Sequence, residues 1–429
     1  MGITLLIRHN VKIIKISWVF PILKIRIKKG KSQWKLKTFK SQQDGYVFRK
    51  NYRTIIPSSK IFFFWEGFDI SCNIYLLVTP EESLVIDPGN DYTAFYDLFS
   101  NHSGITSKRI KKVLLTHGHS EHALGLFEIL RSYPSLRFSG EGIEVYLHES
   151  APETLKDLAT QLGCKLNFVQ NGDVISVGEF SLSVIHTPGH TMDSLCFLHK
   201  ETGSLFSGDT VLPFAVASPD PVAGGRIDYH LFSMRILRRL GIQNLLPGHG
   251  DIIVGQAGAV LDGNYAGLIK KIVGLQCPWL EASQNLMQKG YMEEAIFCCD
   301  RVLHDDPNHP TALYFKACCL TDTSRFQEAL ETLEHLKATN SQMNNNPLYL
   351  IAYGCALMGM GQYAEAITSF DKAHSLAPSL ENALIYKGLA LYLNGQVDEA
   401  MDIEPFKNAF VGQIKEELLK QYQKSSDQS

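Results

Sequence analysis

The 429-residue chain has no run of about 20 consecutive apolar residues. Lys12, Lys15, Lys24, Arg26 and Lys28 break up the apolar patches near its start. A hydrophobic transmembrane helix is therefore excluded. No apolar core followed by a small-residue cleavage site is present either, so a chain without a secretory leader is expected. CxxC pairs are also missing. The nine cysteines are odd in number, and two adjacent pairs, Cys298-Cys299 and Cys318-Cys319, fall in helical sequence. That pattern argues against a disulfide framework and for small buried side chains in a reducing, cytoplasmic setting. Acids are nearly absent from the first fifty residues, where ten Lys and three Arg face Asp44 alone. Those residues carry +12, which leaves −15 for the rest of a chain whose total is −3. Residues 1–45 read as a basic N-terminal extension, either solvated or in contact with an anionic surface. Its segment "VKIIKISWVFPILKIRIKK" alternates apolar and basic residues, as a strand or a membrane-surface segment does.

What is present is ordinary globular composition, with 45% hydrophobic and 20% charged residues over a length that fits two to three domains. From 46 to 275, short apolar strands alternate with helical patterns. "KIFFFWE", "NIYLLV", "SLVID", "KKVLLTH", "IEVYLHE", "LSVIHTPGH", "SLCFLH", "SLFSGD" and "IQNLLPGHG" read as strands. "LGLFEILRSYP" reads as a helix closed by Pro134. Asp228 is expected to cap "YHLFSMRILRRLG", with Gly241 as the stop.

From 276 to 429 the chain becomes repetitive. Ala295 and Ala329 lie 34 residues apart, as do Ala366 and Ala400, Gly354 and Gly388, and Gly361 and Gly395. "PLYLIAYGCALMGMGQYAEAITSFDKAHSLAP" resembles a tetratricopeptide (TPR) repeat through Gly354, Gly361, Tyr363, Ala366, Phe370, Ala373 and Pro378. Repeats are expected at 276–309, 310–346 and 347–380, with a fourth from 381 broken by "IEPFK". Phe406, Phe410, Ile414, Leu418 and Tyr422 then recur every four residues, as in a helix that caps the array.

Chemistry concentrates in five segments: "VIDPGN" with Asp87; "THGHSEH" with His117, His119, Glu121 and His122; "HTPGHT" with His190; "FSGDT" with Asp209; and "LPGHG" with His249. Most of these candidates follow an apolar strand in a Gly- or Pro-containing turn, so a sheet scaffold delivers them to one rim. Imidazoles and carboxylates suit zinc or iron. His148, His186 and His199 read as structural.

Taken in order, these motifs resemble the metallo-β-lactamase superfamily pattern HxHxDH, then a lone His, an Asp and a final His, over roughly residues 60–265. The resemblance implies an αββα sandwich, here an α/β domain followed by an all-α TPR solenoid. It also implies that His117, His119 and His190 bind a first metal, that Glu121, His122 and His249 bind a second, that Asp209 bridges them, and that Asp87 supports the site. Asp87, Glu121 and Asp209 are the candidate catalytic carboxylates. The family usually has Asp where Glu121 stands. The longer side chain can hold a displaced second metal, leave a mononuclear site, or act by orienting a ligand or water.

The expected function is a hydrolase that uses one or two Zn(2+) ions per chain on a small-molecule ester, thioester or lactone, with the TPR repeats holding a protein or peptide. A metal-activated water with a pKa near about 7 would be the nucleophile. The chain most resembles the compact, glyoxalase-II-like members. His122 to His190 spans 68 residues, which leaves no room for the large inserted domain of the nucleases. Three alternatives remain open: a mononuclear iron sulfur dioxygenase, a non-catalytic TPR binding protein, and a short ribonuclease. The acidic body is a poor partner for nucleic acid.

Overall fold

The computed structural model describes residues 71–79, 82–90, 95–96, 110–133, 142–178 and 180–413, together with the backbone of strands at 4–9, 12–19, 22–28, 34–40 and 61–65. The first four of these strands, β1 (Thr4–His9), β2 (Lys12–Val19), β3 (Ile22–Lys28) and β4 (Trp34–Lys40), form an antiparallel meander. The basic, alternating segment is thus a pair of strands. The expected boundary at 45/46 lies outside the described residues, as does the capping pattern beyond 413.

A six-stranded sheet contains β5 (Ile61–Trp65), β6 (Ile74–Val78), β7 (Ser83–Ile86), β8 (Ile110–Leu114), β9 (Glu144–Leu147) and β10 (Lys165–Phe168), in the order β10-β9-β8-β7-β6-β5. A five-stranded sheet follows in sequence order: β11 (Val174–Val177), β12 (Phe180–His186), β13 (Leu195–His199), β14 (Ser204–Gly208) and β15 (Asn244–Pro247). Strand side chains alternate between two faces, and that period explains the layers. Tyr75, Leu77, Leu84, Ile86 and Leu114 meet Leu182, Phe197, Phe206 and Leu246 between the sheets. Their neighbours Leu76, Val85 and Val113 face outward onto α1 (Ser120–Ser132) and α2 (Glu153–Gln161). On the second sheet Cys196, Leu198, Leu205 and Leu245 face α3 (Ile227–Arg238) and α4 (Ala257–Val273). The result is an αββα sandwich.

Helix α1 begins inside the histidine turn rather than after it, so Glu121 lies in its first turn, where the helix dipole favours a carboxylate. Asp228 is not the cap of α3. The helix starts at Ile227, and Arg226 clamps the Asp228 carboxylate at 3.0 and 2.6 Å. A two-point guanidinium pair outcompetes a capping bond for the same oxygens.

Helix pairs continue the chain: α5 (Trp279–Gln288) with α6 (Met292–Asp305), α7 (Pro310–Asp322) with α8 (Phe326–Thr339), α9 (Pro347–Gly359) with α10 (Tyr363–Leu376), and α11 (Glu381–Leu393) with the short α12 (Val397–Met401). Ala295, Ala329, Ala366 and Ala400 are all fully buried, so the 34-residue step marks close helix contacts. Residues 404–413 are helical, with Phe406 buried against Leu391 and Ala400. Among the described residues no helix is long and apolar enough to cross a membrane.

The repeats are not a loosely tethered appendage. Leu261, Leu268 and Ile269 of α4 share one core cluster with Ala282, Leu286 and Ala295. The buried Glu294 of α6 accepts from the Tyr265 hydroxyl at 2.8 Å, and Arg235 of α3 lies 3.7 Å away. Arg239 pairs with Glu293 at 2.9 Å. Glu294→Ala strips Tyr265 and Arg235 of their acceptor and is expected to cost about 2–3 kcal/mol in urea unfolding. A loss below about 0.5 kcal/mol, the ordinary surface value, would show that this contact does not hold the two parts together.

Candidate metal centre

Strand ends bring the candidate residues to one rim. His117 and His119 follow β8, His190 follows β12, Asp209 follows β14, and His249 follows β15. His117 Nε2 lies 3.0 Å from His119 Nδ1, which lies 3.2 Å from His190 Nε2. The ligand-type atoms of Glu121, His122 and His249 also fall within 4.8 Å of one another. Asp209 stands between the two groups. Its Oδ2 is 3.8 Å from His190 Nε2 and 3.6 Å from His249 Nε2, and its Oδ1 is 3.5 Å from His122 Nε2.

The other nitrogen of each inward-facing ring decides where the protons are. His119 Nε2 meets the Asp220 carboxylate at 3.0 Å, His190 Nδ1 meets the Ser218 carbonyl at 2.8 Å, and His122 Nδ1 meets Asp87 Oδ2 at 2.8 Å. These partners are acceptors, so those nitrogens carry the hydrogen. The Thr116 hydroxyl donates to Asp87 Oδ2 at 2.6 Å, which leaves its lone pair for His117 Nδ1–H at 3.1 Å. By elimination, His117 Nε2, His119 Nδ1 and His190 Nε2 all present lone pairs to one another. Three lone pairs at such separations repel unless a cation lies among them. The spacings approach the edge of a tetrahedron with metal–nitrogen bonds of about 2.05 Å, roughly 3.3 Å.

The second group carries the same signature. His122 Nε2 and Asp209 Oδ1 are buried without a hydrogen-bond partner among the described residues. Buried polar atoms seldom go unpaired, so this donor set also fits a cation.

Electrostatics agree. Burial, with His122 adding to it, holds the His117 imidazole well below the ordinary histidine range, and burial also lowers His190. The neutral ring, the form that ligates, is thereby favoured at both. Burial opposes charge on His122, yet Cys72, Asp87 and Asp209 push it well above its usual range, so positive charge is favoured there. Burial would raise the Asp209 carboxyl, but His122 above all holds it well below the usual carboxylate range.

Asp87 touches no inward-facing ligand atom; it fixes those that do. Its Oδ1 accepts from the Thr116 backbone at 2.8 Å while its Oδ2 holds His122 and the Thr116 hydroxyl. It adopts φ +50°, a strained conformation that aspartate tolerates better than most residues. Gly248 is required by close approach, because a Cβ there would lie 2.3 Å from Asp209 Oδ1. The Asn73 side chain donates to the Pro247 and Gly250 carbonyls at 2.9 and 2.8 Å, which secures the His249 turn.

Sequence reading missed Thr116, Asp220, Ser218 and Asn73. The one available signal was for Asp220, an acid between two prolines in the segment after Asp209. His148 and His186 stack on each other at 4.1 Å, and His199 bonds Thr202, so all three stand apart from the cluster. No repeat-domain cysteine joins a metal-type group among the described residues.

The family model described as metallo-beta-lactamase superfamily matches residues 67–249. This segment is a metallo-β-lactamase superfamily domain. Beyond it, a model described as anaphase-promoting complex, cyclosome, subunit 3 matches residues 288–370, and a tetratricopeptide repeat model matches 352–404. The metallo-β-lactamase segment is similar to an atrochrysone carboxyl ACP thioesterase of Aspergillus fumigatus, 30% identical over 181 residues, covering 42% of this chain and 51% of that protein. A counterpart from Paecilomyces divaricatus is 29% identical over 191 residues, covering 44% and 53%. The chain thus spans about half the length of these relatives. A metallo-beta-lactamase family crystal structure from Thermus thermophilus matches at 22% identity with a TM-score of 0.39, covering 58% of this chain and 94% of that one.

Asp87→Asn replaces an acceptor with a donor facing Thr116 and His122. Zinc affinity measured by chelator competition is expected to fall about 10–100-fold. Unchanged affinity would remove Asp87 from the support of the site.

Proposed function

We propose that the protein is a metal-dependent thioester hydrolase with a dinuclear centre. His117, His119 and His190 would hold one divalent ion, Glu121, His122 and His249 the other, and Asp209 would bridge them. The observation that carries this reading is the convergence of the His117, His119 and His190 lone pairs, whose other nitrogens are committed to Thr116, Asp220 and Ser218. The thioester class rests on the named activity of the similar fungal proteins, and hydrolysis would split the acyl–sulfur bond with water to give a carboxylate and a thiol.

When bound, the two ions supply a nucleophile at neutral pH and an electrophile for the scissile carbonyl. The protein's own groups do the rest. Asp87 and Thr116 lock the tautomers of His122 and His117, while Asp220 keeps the proton of His119 on the outer nitrogen. Glu121 and His249 are the more exposed members, with side chains 32% and 35% accessible, so they mark the mouth through which substrate enters. The dinuclear form is favoured over a single iron because the Glu121 carboxylate stays within 4.8 Å of the His122 and His249 donors despite its extra methylene. The TPR repeats, in this reading, present a protein partner to the same molecule.

Purified protein is expected to carry two divalent transition metals per chain and to hydrolyse acyl thioesters. His117→Ala should lower kcat/KM at least about 10³-fold, the scale of losing a principal electrostatic stabiliser. Glu121→Asp is expected to keep two metals. A single iron per chain with no thioester hydrolysis would replace this reading with the dioxygenase one, and protein without metal after metal-replete preparation would end both.

A further inference from the structure

Resting on the thioester reading, we propose that Phe214 is the residue that recognises the acyl group, and that Asn264 and Lys271 of α4 are positioning residues that hold it at the mouth of the site. Phe214 is 78% exposed, unusual for a phenylalanine in a loop that is tied down on both sides. On one side, Asn264 Nδ2 donates to the Leu212 carbonyl at 2.9 Å. On the other, Lys271 Nζ donates to the Val216 carbonyl at 3.2 Å and the Ser218 hydroxyl at 3.4 Å. Between them Val216 packs against Gly267, where a Cβ would lie 2.4 Å from Val216 Cγ2. Asn264, Gly267 and Lys271 are spaced to share one helix face, so α4 grips the loop at three points and leaves Phe214 and Ala215 exposed.

The loop is continuous with the metal centre at both ends. It begins just after Asp209, and Ser218 receives the His190 Nδ1–H. Phe214 Cδ2 lies 3.6 Å from where a Cβ on Gly250 would stand, beside His249. Farther along the loop Val222, 97% exposed, follows the Asp220 that holds His119. An apolar side chain kept in water next to a reaction centre gains most by covering an apolar substrate group. Of the two groups that the scissile carbonyl would carry, the acyl chain is the apolar one, so it is the group that an exposed phenylalanine beside His249 would cover.

The test compares acetyl and octanoyl thioesters of one thiol on the zinc-loaded, full-length protein, alongside calorimetric binding of acetate and octanoate. The wild type should favour octanoyl, at about three- to fourfold per methylene covered. Phe214→Ala should reduce the octanoyl-to-acetyl ratio of kcat/KM at least tenfold, mainly through KM, with the same loss in the octanoate-to-acetate affinity ratio. Lys271→Met should move both ratios in the same direction, and Lys271→Arg should restore them. Because Phe214 is exposed, its truncation leaves the core intact. Thioester hydrolysis with an unaltered ratio in Phe214→Ala would overturn the inference while the reaction stands. Phe214-dependent octanoate binding without thioester hydrolysis would support the acyl site and overturn the reaction.

Discussion

The His119 nitrogen cannot face those of His117 and His190 as lone pairs, at 3.0 and 3.2 Å, without a positive charge among them. The site depends on that constraint, because Asp220, Ser218 and Thr116 commit the outer nitrogen of each ring and leave the inner one no hydrogen to offer. The buried Asp209 imposes the same requirement on the second group. A buried carboxylate with an unpaired oxygen is costly, and the surrounding imidazoles stabilise its charge without meeting it in hydrogen-bond geometry.

The scaffold follows from this demand for fixed directions. Strands alternate their side chains between two apolar layers and end at one rim, so each ligand leaves a rigid element through a short turn. Asp87 shows how local strain is tolerated for position: its left-handed backbone lets one carboxylate hold both Thr116 and His122. Helices α3 and α4 then do two jobs. Their inner faces cover the second sheet, while Arg235, Arg239 and Tyr265 bind the first repeat and Asn264 and Lys271 bind the loop after Asp209. The TPR array therefore abuts the helix that shapes the mouth of the site.

Much of this was legible in the sequence because it is periodic or compositional. The unbroken apolar runs of "NIYLLV" and "SLCFLH" mark strands buried on both faces, and the 34-residue alanine step marks the repeats. The ordered histidine motifs converge at one rim. What was not legible is the set of contacts made across the fold. Asp220 reaches His119 from 101 residues away, a separation no local pattern encodes. Asp228 has the residue type of a helix cap, but Arg226, two positions earlier, draws its carboxylate away. The helical role of Glu121 was missed for a related reason: a turn crowded with ligands hides the start of a helix.

The central claim is that two cations sit on either side of Asp209, and crystals of zinc-loaded protein measured at the zinc absorption edge test it most directly. The account predicts two anomalous peaks, one among His117, His119 and His190 and one among Glu121, His122 and His249, both in contact with the Asp209 carboxylate. A single peak at the first position with Glu121 turned to solvent would contradict the dinuclear centre, and no peak at either would contradict the metal site itself.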